Sequence, residues 1–151
     1  MDEARQADAS ATQPRTNYCF GCGADNPDGM GLEFSFDEAK ARVFCQVELD
    51  DRYTGPPGHC HGGIIATMLD EIMAKLNKLH GVTAVTSEIT VKYLRPVPLH
   101  TQLKLEAREV RIAGRQRFRE AEIVDAGGEV LARGQGTFIK IDPERVFAKS
   151  R

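Results

Sequence analysis

From residue 32 onward the chain alternates apolar and polar positions in short runs, interrupted once by a stretch with the period of a helix. Leu32-Glu33-Phe34-Ser35-Phe36 alternates at period two, and Val43, Cys45, Val47 and Leu49 repeat the pattern after Glu38-Ala39-Lys40. Period two is the spacing of a half-buried strand, and the two runs predict a hairpin. Residues 53–58, with Gly55-Pro56-Pro57-Gly58 among them, break the pattern completely. From 62 to about 79 the apolar positions Ile65, Met68, Leu69, Ile72, Leu76 and Leu79 fall at i, i+3, i+4 and i+7, which predicts a helix stopped by Gly81. Residues 83–93, 101–112, 116–124 and 129–141 return to strand, joined by Arg95-Pro96-Val97-Pro98, Ala113-Gly114 and Asp125-Ala126-Gly127-Gly128.

Two strands, one helix and four strands with short turns is not a βαβ alternation. It predicts the α+β class, an antiparallel sheet of about six strands with one long helix packed on it. The proline wedge at 95–98 belongs at an edge or bulge. The register of the strand from Gln116 stays open, because Arg117 and Arg119 share a face with Ala121 and Ile123. The helix face opposite the apolar one carries Gly63, Ala66, Thr67, Asp70 and Ala74. A solvated face would carry long charged side chains, so the first half of the helix is expected to be covered there too. One helix cannot cover both faces of such a sheet. Either a sheet edge or this helix face is therefore expected to meet a second subunit.

The length of 151 residues fits one domain, and 41% hydrophobic residues suffice for a core. A net charge of −2 with both signs scattered excludes a general nucleic-acid binder, which needs a basic face. No apolar run approaches the ~18 residues of a membrane span. Residues 1–16 are polar, without the apolar stretch of a secretory signal, and read as a disordered tail. The domain is expected over 17–146, with 147–151 as a tail. The four cysteines, Cys19, Cys22, Cys45 and Cys60, are expected to be thiols in a reducing cytoplasm.

The chemistry gathers at Gly58-His59-Cys60-His61-Gly62-Gly63 and at Asp70. Glycines at a helix start leave backbone N–H groups bare, and with the helix dipole they suit an anion or a polarised carbonyl. Negative charge develops on such a carbonyl oxygen when an acyl group is transferred. Asp70 lies two turns on among small and apolar residues, where a carboxylate is costly unless paired. The same residues also fit a bland alternative, close packing for the glycines and a backbone hydrogen bond for Asp70. Spacing alone leaves both open.

The run His61-Gly62-Gly63-Ile64-Ile65-Ala66-Thr67-Met68-Leu69-Asp70 resembles the signature of hotdog-fold acyl-CoA thioesterases of the PaaI-like and THEM types. The similarity extends through Thr86, Val91-Lys92-Tyr93-Leu94-Arg95-Pro96-Val97-Pro98 and Gly136-Thr137-Phe138-Ile139-Lys140-Ile141. Cys19-Phe20-Gly21-Cys22-Gly23 before Asn26-Pro27 resembles the N-terminal element of a subgroup. The resemblance implies a hotdog fold and hydrolysis of an acyl-CoA thioester by a homodimer or homotetramer. Asp70 would then be the catalytic general base or nucleophile, and the Gly63 N–H, with Gly62 beside it, would polarise the carbonyl. His61 would orient the site and Thr86 would hold the attacking water. Gly62, Met68 and Glu71, the last a second-choice carboxylate, are candidates for touching substrate. Coenzyme A would be part of the substrate, with no separate cofactor and no metal. Some PaaI-like enzymes carry an asparagine shortly before His-Gly-Gly, whereas here that stretch is Thr54-Gly55-Pro56-Pro57-Gly58, which puts more weight on Thr86.

Two other readings carry less. An acyl-thioester hydratase or dehydratase would need a catalytic histidine, for which His61 is the one candidate. A non-catalytic acyl-CoA-binding module would use the same pocket without turnover. The C-x-x-C at Cys19 and Cys22 could make zinc ligands with Cys60, His59 or His61, but without a second pair it reads as a glycine-rich turn with two thiols. Arg108, Arg111, Arg115, Arg117 and Arg119 could meet coenzyme A phosphates, yet Glu106, Glu109, Glu120 and Glu122 are interleaved to neutralise them.

Overall fold

The computed structural model describes residues 16–148. The tails expected at 1–16 and 147–151 fall outside the described residues, apart from Thr16, Phe147 and Ala148. The chain divides after Gly31 into two compact units.

The first unit, over 16–31, is a succession of turns. Gly23 N–H donates to Cys19 O at 2.9 Å and Met30 N–H to Phe20 O at 2.7 Å. The Asp25 carboxylate takes the Asn17 N–H at 3.0 Å. Gly23 is obligatory, because a Cβ there would stand 2.4 Å from Cys19 N.

The second unit holds β1 (Ser35–Asp37), β2 (Arg42–Glu48), a 3-10 turn (Asp51–Tyr53), α1 (Gly62–Ala74), α2 (Leu76–His80), β3 (Ala84–Tyr93), β4 (Gln102–Ala113), β5 (Gln116–Val124), β6 (Val130–Lys140) and α3 (Pro143–Phe147). All six strands form one antiparallel sheet in the order β1-β2-β4-β5-β6-β3, with the helix against it, the hotdog architecture. The single predicted helix is interrupted at Lys75, whose N–H is shared between Glu71 O and Met73 O. Gly81 closes α2 in the left-handed conformation, φ 63°, as a glycine stop requires.

Helix and sheet meet through the apolar stripe. Ile65, Met68, Leu69, Ile72, Met73 and Leu76 are buried, as are Leu103, Leu105 and Ala107 of β4, Ala121 and Ile123 of β5 and Phe138 of β6. Full burial of the Leu, Ile, Met and Phe side chains among them stabilises by about 1.5–3 kcal/mol each. On β6 two inward positions are glycine. A Cβ at Gly134 would stand 3.2 Å from Leu69 Cβ, and one at Gly136 would stand 2.7 Å from Phe138 Cε2 and 3.2 Å from Met73 Cε. Their missing side chains let α1 come down onto the strand.

Strand β3 is a sheet edge, paired with β6 on one side. A bulge interrupts it: Thr86 pairs with Phe138 and Glu88 with Thr137, leaving Ser87 between. The segment 95–98 follows this edge strand, as prolines require.

The open register of β5 resolves with Arg119 pointing inward, 2% exposed. The expected neutralisation by glutamates holds for Arg108, paired with Glu120, and Arg117, 3.3 Å from Glu109. Arg111 instead stacks on Phe118 at 4.1 Å. His100 is exposed and bonded to Asp51 at 2.6 Å. His80 is half-buried with Nε2 2.9 Å from Glu109 Oε2, off the hydrogen-bonding direction. Among the described residues no helix is long and apolar enough to cross a membrane.

Two outcomes follow from this packing. Gly136→Ala should lose about 1–3 kcal/mol in a urea titration, because the added methyl meets the Phe138 ring. Burial pushes the thiols of Cys45 and Cys60 up to about 11. Thiolates being the reactive form, both should resist iodoacetamide at pH 8 in the native protein and react once guanidinium unfolds it, which peptide mass spectrometry reads directly.

Candidate active site

The start of α1 is held from two sides. His61 N–H donates to Tyr53 O and Cys60 N–H to Val97 O, both at 2.8 Å. Gly55 lies so close that a Cβ on it would stand 2.6 Å from His61 Cα. The helix then opens with His61 as its cap: Nδ1 accepts the Gly63 N–H at 2.9 Å. For Nδ1 to accept, the neutral ring must carry its proton on Nε2. Gly62 N–H has no partner among the described residues.

The Gly63 N–H, expected to polarise a carbonyl, is thus engaged by the histidine expected to orient the site. A substrate oxygen there has to displace the ring or share the hydrogen. The bare N–H is that of Gly62, and both sit at the positive end of the helix dipole.

Asp70 lies half-buried two turns further on. Its Oδ1 accepts the Thr86 hydroxyl at 2.6 Å, joining helix and edge strand. The second carboxylate oxygen keeps its lone pairs for a water or an acyl carbon. Thr67 Oγ1 donates to Gly63 O at 2.9 Å on the same helix face. That face, with Ala66, Thr67, Asp70 and Ala74 half-exposed and Gly63 exposed, is not fully covered by the described residues.

Tyr93 is a contact that sequence reasoning missed. Its hydroxyl donates to Gly62 O at 2.9 Å. It lay within the stretch of family resemblance, but a bond to a backbone carbonyl leaves no mark in residue spacing. β3 therefore grips the helix twice, at Gly62 through Tyr93 and at Asp70 through Thr86.

Other expected residues lie elsewhere. Met68, expected to touch substrate, has no exposed surface and packs in the core. Glu71 pairs with Lys75 at 3.6 Å along the helix. Of the possible metal ligands, Cys60 is buried, His59 Nδ1 lies 2.8 Å from Pro57 O and His61 is the helix cap.

A carboxylate fixed by a hydroxyl, on a helix whose N-terminus carries the bare Gly62 N–H, suits nucleophilic or base-assisted attack on an acyl carbonyl. The family model of the thioesterase superfamily matches residues 57–132, which contain all of these groups. Acyl-coenzyme A thioesterase THEM4 of Xenopus laevis is 30% identical over 119 residues, 77% of this chain and 54% of the relative. The chain spans about half the length of the first curated relatives it matches. A crystal structure of a thioesterase superfamily protein superposes with a TM-score of 0.78 at 29% identity, covering 83% of this chain and 61% of that one. A Streptococcus mutans protein bound to acetyl CoA shares the fold with a TM-score of 0.68 at 22% identity, covering 73% of this chain and 88% of its own. With its family match spanning half of its residues, the chain belongs to the thioesterase superfamily.

Proposed function

We propose that this protein hydrolyses acyl-coenzyme A thioesters to the free acid and coenzyme A, with Asp70 as general base or nucleophile. The observation that carries the reading is the 2.6 Å hydrogen bond from Thr86 to Asp70, which fixes a carboxylate on a helix face not fully covered by the described residues. The names of the curated relatives and the acetyl CoA bound to the Streptococcus mutans neighbour support the substrate class. In this reading no metal or further cofactor takes part.

The geometry also supports assembly. Gly62 and Asp70 are eight residues apart on α1, so about 12 Å of helix separates the bare N–H from the carboxylate. That is too far for both to act on one carbonyl and one water. A second copy resolves this, its helix start facing the Asp70 of the first. The ten-residue β3, with one edge unpaired and most side chains exposed, is the natural seam. We place the protein in the cytoplasm, a reading supported by four free cysteines, and take the assembly to be a dimer or tetramer. A hydratase would need the His61 ring for proton transfer, and with Nδ1 engaged as the helix cap the Nε2 atom is the ring nitrogen left for that role.

In a thiol-release assay against aryl-, short- and long-chain acyl-CoAs, Asp70→Asn should lower kcat about 10²–10⁴-fold. Thr86→Val should lower it about 10–100-fold with KM little changed, since the carboxylate loses its aim. A wild-type protein that releases thiol from no member of the panel, while still binding one, would favour the binding-module reading. Light scattering during gel filtration should give a mass that is a multiple of 16.7 kDa. A stable single-copy species would count against the shared site.

A further inference from the structure

Arg119 is buried where its chemistry makes burial unfavourable. It is 2% exposed on the inner face of β5, and burial pulls its guanidinium down to about 10. Nε and one terminal nitrogen have no hydrogen-bond partner. A side chain in this state is weak evidence for stability, since an apolar residue of similar volume often serves as well. Its hydrogen bonds say what it holds. Nη1 donates to Met73 O at 3.0 Å and to Asn77 Oδ1 at 2.9 Å. The guanidinium lies over the Phe138 ring, 4.7 Å from its centre, and Phe138 is the cross-strand partner of Thr86.

Both hydrogen bonds lead to the Asp70–Thr86 pair. Met73 is three residues beyond Asp70, just before the helix interruption at Lys75. Asn77 lies beyond that interruption, on α2. Its Nδ2 donates to Ala84 O at 2.9 Å, two residues before Thr86 on the edge strand. The Arg119–Asn77 link therefore ties the helix that carries Asp70 to the strand that carries Thr86. β3 has a sheet partner on one side alone, so its distance from the helix depends on such ties.

We propose that Arg119 is a positioning residue for the Asp70–Thr86 pair, acting through the Met73 carbonyl and the Asn77 amide. The kinetic part of this proposal rests on the hydrolase reading above; the geometric part does not. Arg119 touches no substrate, so its loss should act on turnover rather than on binding. A misplacement of about 1 Å in such a pair costs up to roughly 10²-fold in rate.

The test compares wild type, Arg119→Met, Arg119→Lys and Asn77→Ala by acyl-CoA kinetics and crystal structures. In Arg119→Met, kcat should fall about 10–100-fold with KM within about twofold, and Thr86 Oγ1 should move beyond about 3.5 Å from Asp70 Oδ1. Arg119→Lys keeps a cationic donor for Met73 O and should recover much of the loss. Asn77→Ala should reproduce the effect with Arg119 in place, and it carries the same test should Arg119→Met fail to fold. A Thr86–Asp70 distance that stays at 2.6 Å in both Arg119→Met and Asn77→Ala overturns the proposal, as does an unchanged kcat. If wild type hydrolyses no acyl-CoA, the hydrolase reading fails while the distance in the variants still decides the positioning role.

Discussion

Everything at the candidate site depends on how closely α1 approaches β6. Leu69 and Met73 settle over Gly134 and Gly136, where the strand presents backbone rather than side chains. Asp70 is adjacent to Leu69 on the helix, and β3 is adjacent to β6 in the sheet. Lowering the helix onto β6 thus also lowers the carboxylate toward β3, to the point where a threonine can reach it. A short polar side chain at Thr86 succeeds because the helix has already come close. Protein interiors resist deformation, so a distance set by core packing is held more firmly than one set by a surface loop.

The site is also built from unequal supports. Its helix start is pinned by backbone N–H bonds to Tyr53 O and Val97 O, which do not depend on side-chain identity, with the His61 and Tyr93 side chains in addition. Its carboxylate end depends on side chains alone: Thr86 for Asp70 and Asn77 for the strand. Substitution therefore reaches one half of the site more easily than the other.

The period-two runs and the single helical run were enough to read the class and the strand order along the chain, because one-sided burial imposes the alternation directly. Asp70, Thr86 and the His-Gly-Gly run were legible through resemblance, whereas their spacing fitted two readings. Other features were hidden for physical reasons. Arg119 at an inward position contradicts the rule that reads burial from polarity, so the register of β5 stayed open until its partners were seen. Tyr93 and Asn77 act on backbone carbonyls, which every residue has. The cap formed by His61 turns the expected division of labour around, since the donor and the orienting group bond to each other. Met68 read as pocket-lining because apolar residues look alike in sequence whether they face a ligand or a core.

The bulge at Ser87 concerns parity. In a regular strand, residues an odd number apart face opposite ways. Thr86 and Tyr93 are seven apart, yet both reach the helix. The extra residue between Thr86 and Glu88 resets the alternation, so that one strand can hold both the carboxylate and the helix start. Removing one residue from that stretch would leave the composition, the charge and nearly all of the core intact. It would still turn one of the two hydroxyls to the outer face of the sheet. The count of residues in this strand, odd or even, is thus itself part of the site.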